Sequence, residues 1–219
     1  MSAAPCRRQA HGLGGGRNSP CRRVTLAHLV ARFLIDVFPT TNADYARFVE
    51  ATGHRSPKHW NADARHPEPG FDHPVVWVTW HDAAAYAEWA GKSLPSSEQW
   101  EKAARGAAGR AYPWGDNATA AKCNVRDSNI LRTTPVSRYR SGVSPFGVYD
   151  LCGNVWEWCA TSSAPGRYEL KGSAFTSPFS RAAPAAFNDA AADMSDDDTG
   201  FRCVASLPFW DRHPGGEGC

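Results

Sequence analysis

Histidines are concentrated in one proline-rich part of the chain, and neutral imidazole is a good ligand for iron, copper and zinc. With Asp63 or Asp72 close by, two of these histidines would complete a two-histidine, one-carboxylate metal site. Their spacing matches no known metal motif, and proline-rich loops commonly carry surface histidines, so both interpretations stay open. The histidines are His54, His59, His66, His73 and His81.

The segment YDLCGNVWEW, residues 149–158, places Glu157 between two tryptophans, just after a Gly-Asn turn signal. The arrangement raises the question of what this carboxylate binds. From the residue types alone, Glu157 can cap a turn or pair with an arginine such as Arg202.

An acidic run precedes the C-terminal GFRCV motif. Blocks of acidic residues are usually a solvated loop, but these carboxylates could also meet a basic ligand or Arg181. No Ser/His/Asp triad or dinucleotide fingerprint is present, and GLGGG at residues 12–16 lacks the Gly-Lys-Ser/Thr of a phosphate loop. The acidic residues are Asp193, Asp196, Asp197 and Asp198.

The cysteines are odd in number and irregularly spaced. Since no CxxC pair occurs, a structural zinc site or a thioredoxin-type redox site is not expected. We predict reduced and mostly buried thiols, Cys152 and Cys159 among them. The seven are Cys6, Cys21, Cys123, Cys152, Cys159, Cys203 and Cys219.

The composition is that of a soluble globular protein, with 42% hydrophobic and 21% charged residues. The net charge of +2 is too close to balance to indicate nucleic acid or a membrane as partner. Residues 1–35 carry arginines and no acidic residue, but no uninterrupted apolar run follows that would make a secretory signal or a membrane span. The sequence therefore predicts a cytoplasmic protein.

Helices are predicted at three places, each with end signals. Thr41 or Asn42 caps the first and Gly53 ends it, whereas Ser96 and Gln99 form a capping box on the third. The predicted helical segments are residues 40–53, 81–91 and 96–106.

Strands are predicted near Phe33–Phe38 and at PVVWVTW, residues 74–80, which reads as a short buried strand. Trp89 and Trp100 are expected to face a shared core. Residues 1–22 have no apolar period and are predicted to be disordered, residues 23–208 to form one domain, and residues 209–219 to be a frayed tail.

Several longer motifs occur in a fixed order: TTNADYARFVEATGH, HPVVWVTWHDAAAYAEWAGKSLPSSEQWEKAARG, YPWGD, TTPV, SPFGVYDLCGNVWEW, KGS and GFRCV. Together they resemble the sulfatase-modifying-factor domain, the family of the formylglycine-generating enzyme, over roughly residues 23–205. The resemblance implies an α+β, C-type-lectin-like fold that is loop-rich, with two to three helices on short antiparallel strands. The family's usual opening strand is replaced by the Arg/Gly-rich start.

In the family, the segment that matches residues 149–158 binds a structural calcium ion. The resemblance implies as ligands the side chains of Asp150 and Glu157 and the carbonyls of Gly153 and Val155. Calcium takes six or more oxygen ligands, and a kinked Gly-Asn backbone can turn carbonyls towards two carboxylates.

A second calcium site of the family matches Asn124 and the carbonyl of Val125. Its acidic partner falls in a segment that is short here, and Asp127 is the candidate substitute.

The formylglycine-generating enzyme binds copper(I) through two cysteines, whose positions here, counted from Ser173, hold Thr176 and Arg181. Residues 160–202 contain no cysteine. Soft thiolates are what select copper(I), so the two-cysteine copper mechanism is not expected in this chain. Trp156 and Ser173 match residues that line the oxygen and substrate site, so the resemblance places the pocket at these four residues.

Two functions follow as expectations. In the first, the protein is an oxidative enzyme that acts on a small thiol or a peptide through a redox metal that the sequence does not identify. In the second, it is a catalytically silent ligand- or protein-binding module that keeps the scaffold and its calcium. By resemblance, the acidic run lies at the pocket rim in either case.

Overall fold

The computed structural model describes residues 30–60 and 70–206, so the predictions for residues 1–22 and 209–219 lie outside it. Within these two ranges the chain forms three α-helices, six strands and several 3₁₀ turns. The helices are α1 (Asn42–Thr52), α2 (Trp80–Trp89) and α3 (Ser97–Arg105). The strands are β1 (Phe33–Ile35), β2 (Trp156–Ala164), β3 (Arg167–Lys171), β4 (Asn188–Ala191), β5 (Thr199–Gly200) and β6 (Val204–Ser206).

The strands form two sheets. β1 pairs with β6, and a four-stranded sheet has the order β4-β3-β2-β5. Most pairs are antiparallel, as predicted, but β5 runs parallel to β2 and sets Trp156 opposite Thr199. The α+β, loop-rich prediction is therefore confirmed, and none of the described helices is long and apolar enough to cross a membrane.

The predicted helix signals are confirmed. Thr41 caps α1 with its side chain, and Gly53 ends that helix in the left-handed conformation at φ 71°. Ser96 and Gln99 form the capping box of α3. These signals act between residues three or four apart, which is why the sequence shows them directly.

The prediction of a strand at residues 74–80 is wrong. Val75 and Val78 are buried, but the backbone N–H groups of this segment donate to Thr40 and to residues 192 and 196 rather than in register to one partner strand. Trp77 interrupts the extended path with a φ of 61°, a left-handed conformation that non-glycine residues seldom adopt.

The main core is aromatic. Tyr45 and Phe48 of α1 pack on Tyr86 of α2, and Phe201 packs on Tyr45 and Tyr86. The expectation that Trp89 shares a core with Trp100 is wrong, because Trp89 is 43% exposed and Trp100 is fully buried in a separate cluster.

Asp82 closes the capping box of α2 and also anchors the loop after α1. Its carboxylate accepts hydrogen bonds from Thr79, from Arg55 at 2.7 Å and from His54 at 2.9 Å. Burial opposes ionisation of Asp82, but these hydrogen bonds outweigh it and hold the pKa of the carboxyl well below its ordinary 3.8. Asp44 makes the same box in α1 but lies at the surface.

We expect Asp82→Asn to lower the free energy of unfolding by about 2 kcal/mol at pH 7, because Arg55 and His54 lose a charged acceptor. The matched control Asp44→Asn should cost about 0.5 kcal/mol. Because the pKa of Asp82 is lower in the folded than in the unfolded protein, its ionised carboxylate stabilises the fold fully only above the unfolded-state pKa. The loss of stability in Asp82→Asn should therefore shrink as pH falls below about 4. Urea denaturation at pH 7 and pH 3 measures this, and equal costs for the two variants would contradict it.

Candidate functional site

Glu157 lies on β2 and is fully buried, as is its partner Arg202. The two side chains form a bidentate ion pair, with both N···O distances at 2.7 Å. The indole N–H of Trp100 donates to the same carboxylate, also at 2.7 Å. The acid between two tryptophans therefore binds an arginine, which is one of the alternatives that the residue types leave open.

Arg202 uses its remaining donors on backbone carbonyls. It donates to Asp36 O at 3.1 Å and to Tyr149 O at 2.8 Å. The guanidinium therefore joins the end of β1, the segment before β2 and the C-terminal part of the domain at one buried point.

This pairing corrects the expected calcium set at Glu157. Both carboxylate oxygens already accept charged or polar N–H donors, and the guanidinium neutralises the charge that a calcium ion would need. Glu157 is therefore a structural ion-pair partner in this chain.

Asp150 has a different environment, although it too is buried. Its Oδ2 accepts a hydrogen bond from Asn154 at 2.8 Å, whereas its Oδ1 has no hydrogen-bond partner in the structure. Burial raises the pKa of Asp150 to about 7, against the opposing effects of Asn154 and Arg202. An unpartnered buried carboxylate oxygen is what a bound cation or water would satisfy, so Asp150 fits the calcium expectation.

The loop around Asp150 is tightly folded. Asp150, Gly153 and Asn154 all adopt left-handed φ values, and the main chain of Gly153 lies against that of Asn124. A kinked backbone of this kind agrees with the predicted turn. The carbonyls of Gly153 and Val155 belong to this loop, and that of Gly153, which already accepts the Val155 N–H at 3.1 Å, could bind an ion only through its second lone pair.

The oxygen atoms of the second expected calcium site already accept hydrogen bonds within the protein. Asn124 Oδ1 accepts from the Ser128 hydroxyl at 3.0 Å, and Val125 O accepts from the Ser128 N–H at 2.9 Å. Asp127 accepts from the N–H of Phe179 at 2.8 Å. Because each of these oxygens already serves a donor, the structure gives no support to a cation at this place.

The structure brings Trp156, Thr176 and Arg181, three of the expected pocket residues, close together. Arg181 lies over the Trp156 ring, with its guanidinium carbon 5.9 Å from the ring centroid. The Thr176 hydroxyl donates to the Asp198 carboxylate, and the backbone N–H of Trp156 donates to the backbone carbonyl of Asp198. We call Trp156, Thr176, Arg181 and Asp198 the groove residues below.

Ser173, the fourth expected pocket residue, is buried just before this group. Its hydroxyl has no hydrogen-bond partner in the structure, and its φ of 68° is left-handed. Strained residues with unsatisfied polar groups are over-represented at functional sites. The structure shows no direct contact of this hydroxyl with the groove residues.

Asp198 is the groove residue that the sequence did not single out individually. The acidic run as a whole was placed at the rim, but the register of β5 against β2 decides which aspartate reaches Thr176. Carboxylate oxygens of Asp196, Asp197 and Asp198 lie within 4.8 Å of one another, and within the described ranges no other such group of three potential metal ligands was found. Arg181 forms no ion pair with this run among the described residues, so that alternative is not supported.

The histidines do not form a metal site among the residues that the structure describes. His54 binds Asp82, and His73 binds the Thr133 hydroxyl at 2.9 Å. His81 is exposed, whereas His59 is more buried, and desolvation lowers its pKa. His66 and Asp63 lie outside the described residues.

The four described cysteines are free and buried, as predicted. Burial raises the pKa of the thiols in every case, to about 12 for Cys123 and Cys203. Cys152 and Cys159 lie in different apolar clusters and do not form a pair. The other cysteines lie outside the described residues.

Comparison with known proteins identifies relatives over most of the chain. The family model described as "Sulfatase-modifying factor enzyme 1-like domain" matches residues 9–207. The formylglycine-generating enzyme of Streptomyces coelicolor is 35% identical, over 73% of this chain and 68% of its own length. The mouse protein named "Inactive C-alpha-formylglycine-generating enzyme 2" is 32% identical, over 88% and 80% respectively.

Two further matches show less, because one covers a small part of the relative and the other has low sequence identity. The Chlamydia trachomatis protein named serine/threonine-protein kinase Pkn1 is 39% identical over 68% of this chain, which spans only 26% of that protein's length. Among solved structures, PvdO from Pseudomonas aeruginosa matches with a TM-score of 0.67 over 80% of both chains at 23% identity, which shows a shared fold.

The buried ion pair makes a direct prediction. Glu157→Gln should lower the free energy of unfolding by about 3–5 kcal/mol, because it leaves Arg202 charged and uncompensated in the core. Glu157→Gln combined with Arg202→Met should cost clearly less than the sum of the two single changes. Denaturant titration of all three variants measures the coupling, with Trp100→Phe as control for the third hydrogen bond. Additive costs would show that the two side chains do not depend on each other.

Proposed function

Because the chain belongs to the sulfatase-modifying factor enzyme 1-like domain family, we propose that it is an oxidative enzyme whose groove binds a small thiol or a cysteine-containing peptide. Relatives of this chain include proteins named formylglycine-generating enzyme and hercynine oxygenase, and the matching family model spans all of the described residues. The chemistry is proposed to proceed by a route other than the two-cysteine copper site.

One observation carries this proposal: the two positions that match the copper-binding cysteines of the formylglycine-generating enzyme hold Thr176 and Arg181, and both make polar contacts with neighbouring residues. Thr176 donates to Asp198, and Arg181 stacks over Trp156. A hydroxyl and a guanidinium are poor partners for copper(I), which selects thiolates. The same two groups are well suited to orienting an organic ligand against an indole.

Arg181 is the groove residue that would recognise charge. It is exposed, its guanidinium donates to Phe187 O at 3.4 Å, and no carboxylate among the described residues forms an ion pair with it. A guanidinium in this position can donate two parallel hydrogen bonds to a carboxylate. We therefore assign to the substrate a free carboxylate close to its sulfur.

The second candidate function is a silent binding module with the same groove. It is favoured by the state of the described thiols, which are buried and held protonated, so none of them is presented as a thiolate to the groove. The mouse relative that matches most of this chain is itself named inactive.

Calcium is a further part of the proposal. Asp150 supplies one buried carboxylate oxygen without a partner, and the carbonyls of Gly153 and Val155 belong to the same loop. With Glu157 committed to Arg202, the site would hold one charged ligand, which corresponds to weak binding at about 10⁻⁴–10⁻³ M. When bound, the ion would fix the loop that precedes β2.

The groove prediction compares N-acetylcysteine with N-acetylcysteine amide, two small thiols that differ only in the carboxylate. We expect the acid to bind about tenfold more tightly, and Arg181→Gln to remove this preference. Isothermal titration measures both affinities. Arg138→Gln is the matched control, since Arg138 also lies over an aromatic ring, that of Tyr139, and should leave the preference unchanged. An equal affinity for acid and amide in the wild type would refute the assignment.

Oxygen uptake then separates the two candidate functions. Protein with bound N-acetylcysteine is supplied with iron(II) or copper(I), and oxygen consumption is followed against the metal and thiol alone. Uptake above that background that is lost in Arg181→Gln supports the enzyme. Binding with no added uptake supports the silent module.

The proposed calcium site makes a separate prediction about stability. At about 5 mM calcium the protein should gain roughly 1–2 kcal/mol of stability, seen as a higher melting temperature. Asp150→Asn keeps the shape of the side chain but removes its charge, and should abolish the gain. Asp127→Asn, in the second expected set, should leave it intact. A gain that persists in Asp150→Asn, or one that magnesium reproduces, would contradict calcium at Asp150.

A further inference from the structure

Two backbone segments that carry cysteines run side by side. Asn124 and Gly153 form a parallel bridge, and the N–H of Asn154 donates to Asn124 O at 2.7 Å. The contact is so close that a Cβ added at Gly153 would lie 2.3 Å from Asn124 O. Gly153 is therefore needed for the two segments to meet.

The residues that precede this bridge are Cys123 and Cys152. The bridge brings the backbones of these two cysteines close together, and a disulfide requires Cα atoms about 4.4–6.8 Å apart. Cys123 is extended, at φ −152° and ψ 158°, whereas Cys152 lies in the bend that leads to Gly153.

The side chains confirm that the two thiols share one environment. Cys123 and Cys152 are 1% and 3% exposed and belong to one small apolar cluster with Val125 and Ala182. The remaining described cysteines lie elsewhere, Cys159 in the cluster around Trp100 and Cys203 in the main core.

We propose that Cys123 and Cys152 are a redox-active pair that forms a reversible intramolecular disulfide. The oxidant is a low-molecular-weight disulfide, which is reduced to two thiols while the pair loses two hydrogen atoms and forms one S–S bond. The first step is attack by one protein thiolate on the small disulfide, and the second protein thiol then displaces the small thiol. Dithiothreitol reverses the reaction by the same exchange. This proposal is independent of the function assigned to the groove.

The pair is connected to the groove by one hydrogen bond. The Cys152 thiol donates to Ala182 O at 2.8 Å, and Ala182 ends the 3₁₀ turn Phe179–Arg181. Oxidation removes the thiol proton and leaves that carbonyl without this donor. The residue next to Arg181 would therefore be held differently in the oxidised protein.

Burial of the two thiols is expected to slow disulfide formation without preventing it. Because both thiols are shielded from water, the cluster must open locally before a small disulfide can reach them. Oxidation of the native protein is therefore expected over hours and should accelerate in urea below the unfolding transition.

The test uses the full chain with Cys6→Ser, Cys21→Ser and Cys219→Ser, so that only the described thiols remain. Native protein is incubated with excess oxidised glutathione, quenched in acid, alkylated and analysed by intact mass and peptide mapping. Before alkylation we expect a mass lower by about 2 Da, and after alkylation a Cys123–Cys152 cross-link with Cys159 and Cys203 alkylated. Dithiothreitol should restore the original mass.

Matched variants complete the experiment. Cys159→Ser should oxidise as the parent does, whereas Cys123→Ser and Cys152→Ser should form no cross-link. Stable glutathione adducts without a cross-link, a cross-link that includes Cys159 or Cys203, or no oxidation even in sub-denaturing urea would each overturn the proposal. Hydrogen exchange of residues 179–182 should be faster after oxidation, and unchanged exchange would overturn the connection to the groove.

Discussion

Glu157 and Arg202 are fully removed from water, and the rest of the domain is arranged around the need to satisfy both. Desolvating two charges is favourable only when their geometry is good and their remaining donors and acceptors are used. Here the carboxylate accepts from Trp100 as well, and the guanidinium donates to carbonyls of Asp36 and Tyr149. The pair thus fixes α3, the end of β1 and the segment before β2 relative to one another.

The same constraint explains how the groove is assembled. Glu157 lies opposite Gly200 in the parallel pairing of β2 and β5. The ion pair of Glu157 therefore helps to fix the register between these two strands. One consequence is that Asp198 lies against the backbone of Trp156 and accepts from Thr176. A contact at the surface is in this way determined by a register fixed in the core.

Local signals account for what could be predicted from the sequence. Capping residues and left-handed glycines act within one helical turn, so the three helices and their ends were predictable. The valine-rich segment at residues 74–80 was not, because its apolar pattern reports burial whereas its backbone hydrogen bonds go to distant residues and Trp77 breaks the extended path. Glu157 and Arg202 are 45 residues apart, and only the fold decides between an arginine and a cation as partner.

The groove residues and the buried pair differ in what a substitution costs. Thr176 and Arg181 are exposed, so a change of side chain there removes surface contacts and leaves no unpaired charge in the core. The surface at Thr176 and Arg181 can therefore change its chemistry while the folding energetics of the core are preserved. Trp156 joins the two regions, because its indole packs in the core on one side and supports Arg181 on the other. The residues of the groove are thus separable from the interaction that holds the domain together, and such a separation is what allows one fold to carry different functions.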